Sequence, residues 1–88
     1  MKKHLQIIVK GKVENTGFRF FALMGAKQLR ISGEVCQTNG SICIEAEGEE
    51  EALDQFARWC KKGPEGCSVE SFISKEKELV EYDDFKIL

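Results

Sequence analysis

The sequence has a single histidine, His4, a single proline, Pro64, and no cysteine pair spaced two to four residues apart. Zinc sites draw on closely spaced cysteines and histidines, so this scarcity excludes a zinc reading, and no other metal or cofactor is implied. The four cysteines, Cys36, Cys43, Cys60 and Cys67, would suit a disulfide framework in a secreted chain. No segment has signal-peptide form, because the apolar run after Met1-Lys2-Lys3-His4 ends at Lys10. The thiols are therefore expected to be reduced and structural, with regulatory oxidation or an adventitious metal as the alternatives. No run reaches membrane-spanning length, so the expected location is the cytoplasm, with no membrane partner. Basic charge is lacking too. A net charge of −2 gives no global field to hold nucleic acid, and an anionic ligand has to be drawn by a local site.

What is present is regular patterning. The chain of 88 residues suffices for one small domain, expected to be monomeric, over residues 1–88. Leu5, Ile7 and Val9 alternate along a strand. Residues 11–17 form a loop containing Gly11, Asn15 and Gly17. Phe18, Phe21, Ala22, Gly25, Ala26 and Leu29 fall on one helical stripe, whose small residues would let the helix lie close to a sheet.

Asn39-Gly40 between two β-type runs is a hairpin signal. A two-residue turn there pairs Thr38 with Ser41, Gln37 with Ile42, Cys36 with Cys43 and Val35 with Ile44. Val35, Ile42, Ile44 and Ala46 then share the buried face, with Gln37 at its polar end. Glu34, Cys36, Cys43, Glu45 and Glu47 share the other face. A second helix opens on Glu49, Glu50 and Glu51, closes on Lys61 and Lys62, and buries Leu53, Phe56 and Cys60. Cys67 to Ser74 reads as a strand whose imperfect alternation predicts a bulge or a two-sided contact. Lys75 to Glu81 reads as a loop or frayed strand end, and Tyr82 to Leu88 as a possible short last strand. The order β-α-β-β-α-β predicts an α+β sandwich, one antiparallel sheet with both helices on one face.

The stretch from Gly11 to Arg19 carries the chemistry. Backbone N–H groups at a helix N-terminus are unpaired, and the dipole favours negative charge there. An arginine in that first turn opposes the dipole, so Arg19 needs a reason such as an anion. A strand, a small-residue loop and a helix led by Arg19 together make an anion cradle. The plain alternative for such a loop is a tight turn.

Gly11-x-Val13-x-x-x-Gly17-Phe18-Arg19 resembles the acylphosphatase signature Gly-x-Val-Gln-Gly-Val-x-Phe-Arg. Leu29-Arg30-Ile31-Ser32-Gly33 is similar to that family's helix exit, and Asn39-Gly40-Ser41-Ile42 to its hairpin. Gly63-Pro64 before Cys67-Ser68-Val69 and the terminal Tyr82-x-x-Phe85-x-Ile87 resemble its later segments. The resemblance implies the family's ferredoxin-like two-layer sandwich. It also implies hydrolysis of small acyl phosphates to carboxylate and phosphate without metal or cofactor. On that resemblance, Arg19 clamps the phosphate, and amides around Asn15, Thr16, Gly17, Phe18 and Arg19 form the cradle. Gln37 takes the place of the family's water-positioning asparagine.

The chain departs from the signature at four places. Glu14 stands for glutamine, Asn15 for glycine, Thr16 for valine and Gln37 for asparagine. A charged Glu14 facing the pocket would oppose a phosphate. Asn15 tolerates the left-handed conformation better than most residues. Gln37 carries its amide on one extra methylene, ~1.5 Å farther out, after which the hairpin turn is one residue shorter than in the family. Two readings follow: an acylphosphatase slowed by Gln37 and Glu14, or a non-catalytic protein of the same fold that binds anions. An RNA-binding sandwich of the RRM kind is a third. It is disfavoured because the strands lack exposed aromatic positions and the helix-free face carries Glu34, Glu45 and Glu47.

Overall fold

The computed structural model describes residues Met1–Leu88. Its elements are β1 (Lys2–Lys12), α1 (Phe18–Leu29), β2 (Ser32–Thr38), β3 (Ser41–Glu49), α2 (Glu50–Lys62), β4 (Ser68–Lys77) and β5 (Phe85–Ile87). The five strands lie in the order β4-β1-β3-β2-β5, and the sandwich is ferredoxin-like. Ile7, Val9, Val35, Ile42, Ile44 and Ala46 supply the buried face of the sheet, against Phe18, Ala22, Ala26, Leu53, Phe56 and Cys60 of the helices.

The hairpin register expected from Asn39-Gly40 is the register observed, from Thr38 opposite Ser41 to Val35 opposite Ile44. The expected irregularity in β4 is also present. The pairing of β1 with β4 slips between Lys10 and Gly11, whose partners are Ser71 and Val69, which leaves Glu70 as the extra residue.

Several expectations need correction. The sheet is mixed, because β5 runs parallel to β2, with Gly33 opposite Phe85 and Val35 opposite Ile87. A return crossing from β4 at one edge to β5 at the other sets that direction. β1 persists to Lys12, so the loop shrinks to residues 13–17. β4 likewise continues through the charged Lys75, Glu76 and Lys77, which pair with Gln6, Leu5 and His4. An edge strand tolerates such charges because its outer side meets water. Gly25 serves a helix-helix contact instead of a helix-sheet one. A Cβ there would come within 2.5 Å of the Trp59 ring, and Trp59 stacks on Phe21 with centroids 4.3 Å apart while its Nε1 donates to the Phe21 carbonyl at 2.8 Å.

The helix-free face is not open along its length. The segment between β4 and β5 crosses it and is held by Glu47, which is fully buried at 0% exposure. The Glu47 carboxylate accepts the backbone N–H groups of Val80, Glu81 and Tyr82. His4, 3% exposed, sits beside it and donates Nδ1–H to the Glu78 carbonyl at 2.8 Å. Its Nε2 lies 2.6 Å from Glu45 Oε1, and Gln6 donates to the other oxygen of that carboxylate at 2.9 Å. Burial, the largest influence, pushes the Glu47 carboxyl up, but the three amides and the neighbouring His4 outweigh it and leave it below its ordinary value. This crossing ends where Asp84 accepts the Gly33 N–H and Phe85 enters the core against Phe56.

Candidate active site

The loop of residues 13–17 is shaped by two left-handed residues. Asn15 has φ 60°, and Gly17, the N-cap of α1, has φ 77° and ψ 20°. The Thr16 hydroxyl donates to the Val13 carbonyl at 2.6 Å, closing the loop on its own backbone. Phe18 is 1% exposed and anchors the first helical turn in the core.

The helix start that results is electrostatically bare. No side chain caps it, no acidic residue lies in its first turn, and its first backbone bond runs from the Phe21 N–H to the Gly17 carbonyl. The amides of Phe18, Arg19 and Phe20 are therefore left without intrahelical acceptors. A cavity of about 230 Å³ adjoins them, lined by Asn15, Gly17, Phe18, Arg19 and Phe20. Gln37, near the end of β2, and Ile87 of β5 complete the lining. Arg19 is the only charged residue in that lining, so the field in the cavity favours an anion.

Of the residues singled out by sequence, the structure brings Asn15, Gly17, Phe18, Arg19 and Gln37 around one cavity. Thr16 is not among the lining residues, since its hydroxyl is engaged within the loop. Glu14 faces neither the cavity nor a lysine. Its carboxylate accepts the backbone N–H of Gly40 in the hairpin turn, so the loop and the hairpin that carries Gln37 are joined directly. Ile87 and Phe20 lie in the lining without having been foreseen. Phe20 follows Arg19 but falls off the buried stripe, which is the signal that could have found it; Ile87 depends on the parallel docking of β5.

A larger recess of about 950 Å³ opens beside the crossing segment, among Lys2, Lys3, Lys77, Glu45, Glu76 and Glu78. Its mixed charges favour neither sign of ion, and no helix start faces it. The smaller cavity has the more selective chemistry.

The acylphosphatase family model matches residues 5–87 of this chain. An acylphosphatase from Helicobacter hepaticus is 37% identical over 95 aligned residues, spanning 100% of this chain and 99% of that protein. An acylphosphatase from Thermotoga maritima is 40% identical, spanning 97% of this chain and 96% of that protein. The crystal structure of acylphosphatase from Bacillus subtilis superposes with a TM-score of 0.94 at 33% identity, covering 100% of this chain and 99% of that one. With a similarity that runs from end to end and takes in the cradle, the sandwich and the hairpin, the chain belongs to the acylphosphatase family of enzymes.

Proposed function

We propose that this protein hydrolyses small acyl phosphates to a carboxylate and inorganic phosphate, without metal or cofactor. The observation that carries the reading is the meeting of Arg19, Gln37 and the uncapped start of α1 on one small cavity. The phosphoryl oxygens rest against the amides of the loop and first turn, from Asn15 through Thr16, Gly17 and Phe18, with the Arg19 guanidinium beside them. Gln37, in the same lining, holds a water by its side-chain amide in line with the bond that breaks. Water adds to phosphorus, the acyl carboxylate departs with the bonding electrons, and the proton of the water passes to solvent or to the phosphate formed. A carboxylate is a good leaving group, so positioning and charge stabilisation suffice, and a strong general base is not required.

Two features of the site bear on the rate. Glu14 is turned to Gly40, so its charge does not line the cavity. Gln37, whose amide sits on one more methylene than that of asparagine, is carried by a hairpin tied to the cradle through that same bond.

The proposal takes residues 1–88 as one monomeric domain acting in the cytoplasm on small molecules, with neither nucleic acid nor membrane as partner. The net charge of −2 supports this reading, and no helix is long and apolar enough to cross a membrane.

The test is phosphate release from acetyl phosphate by the wild type and by Arg19→Ala. The expected loss is ~10²–10³-fold; equal rates at the spontaneous background overturn the proposal. Background turnover together with a phosphate-dependent rise in melting temperature would favour the anion-binding alternative.

A further inference from the structure

Two large apolar side chains in the lining of the cavity are exposed. Phe20 is 61% exposed and Ile87 is 40% exposed, and both line it beside Arg19 and Gln37. They arrive from different elements, Phe20 from the first turn of α1 and Ile87 from β5. Neither belongs to the buried core, so core packing does not account for them. Exposed hydrophobics scattered singly need no explanation, but two that converge on one ligand-sized cavity form an apolar lip. The lining thus combines a single charge, the Arg19 guanidinium, with two exposed apolar side chains, and it contains no carboxylate. A volume of about 230 Å³ is small beside the pockets that hold drug-sized ligands. It suits a phosphoryl group followed by a short chain or a ring that extends over the lip.

We propose that Phe20 and Ile87 are specificity-determining residues that receive the acyl group of the substrate. They select acyl phosphates with an uncharged apolar chain or ring over acetyl phosphate and over those with a charged acyl group. This inference rests on the acyl phosphate reading given above. Each methylene fully removed from water is worth about fourfold in binding, and a lip that stays partly open captures roughly half to all of that factor. The contact is made by the acyl group both before and during bond breaking, so it lowers KM and leaves kcat nearly constant.

The experiment is a homologous series of acetyl, propionyl and butyryl phosphate, with benzoyl and succinyl phosphate added, on the purified wild type, Phe20→Ser, Ile87→Ser and Arg19→Ala. The wild type is expected to gain about 2–4-fold in kcat/KM per methylene, carried by KM. Benzoyl phosphate should lie at the top, and succinyl phosphate should gain nothing over acetyl phosphate despite its longer chain. Each serine variant should keep its urea unfolding midpoint and lose about half of the slope. A flat or falling series in a wild type that depends on Arg19 overturns this inference and leaves the hydrolytic reading standing. A rising series with an unchanged slope in both serine variants overturns it as well. Absence of Arg19-dependent turnover for every substrate removes both.

Discussion

The carboxylate of Glu14 accepts the backbone N–H of Gly40, 26 residues further along the chain. One end of this bond belongs to the loop of residues 13–17 and the other to the turn that follows Gln37. The loop and the hairpin, which share the core through Phe18, Val35 and Ile42, are thus also tied directly by one side chain. Glu14→Ala should lower kcat on acetyl phosphate by up to ~10²-fold, the cost of about 1 Å of misplacement. It should lower stability by about 1 kcal/mol, one hydrogen bond. Glu14→Gln keeps an acceptor oxygen in reach and should retain kcat within a few-fold. Steady-state kinetics with urea unfolding of the three proteins checks this; equal losses in both variants would show that the charge matters and the bond does not.

A pH dependence follows from Glu47. Its carboxyl is held below the ordinary value because the amides of Val80, Tyr82 and Glu81 and the neighbouring His4 outweigh burial. A carboxyl whose folded value lies below its unfolded value stabilises the fold at every pH above the unfolded value, about 4.3. That stabilisation disappears as pH falls through the folded value. Glu47→Gln turns an amide donor toward backbone donors and should lose about 2 kcal/mol at pH 7. The gap should narrow below pH ~4. Urea unfolding at pH 7 and at pH 3 gives the two differences; a gap that stays constant would contradict this account of Glu47.

Gly25 sets the approach of the two helices. Alanine is the better helix former by about 1 kcal/mol, yet its Cβ would come within 2.5 Å of the Trp59 ring. Overpacking of this kind costs about 1–3 kcal/mol, and moving the indole also weakens its bond to the Phe21 carbonyl. Gly25→Ala should be destabilised by about 1 kcal/mol net, with altered tryptophan emission. A gain in stability would mean that Trp59 moves aside freely.

Local signals carried much of the fold. Asn39-Gly40 specified the hairpin and its register because turn geometry and the period of two act over a few residues. The stripe from Phe18 to Ala26 specified α1, and the lysines at 61 and 62 marked the end of α2. Arg19 stood out because it opposes the helix dipole, and the structure places it in the lining of the cavity. Long-range polar pairing was not legible. Glu47 reads as a solvated glutamate until a segment 33 to 35 residues away is laid over it. Glu14 likewise reads as a charge near a phosphate until the amide of Gly40 is found opposite. Ile87 enters the cavity only because β5 docks parallel to β2, which alternation alone does not reveal.

The central claim is that Arg19 and Gln37, which line one cavity, act on one bound phosphoryl group. A double-mutant cycle of Arg19→Ala and Gln37→Leu, read as kcat/KM on acetyl phosphate, tests it most directly. Groups that act as a unit lose less together than the product of their separate losses, so the cycle should show a coupling of about 1–3 kcal/mol. Losses that simply multiply, or a Gln37→Leu variant as fast as the wild type, would contradict the claim.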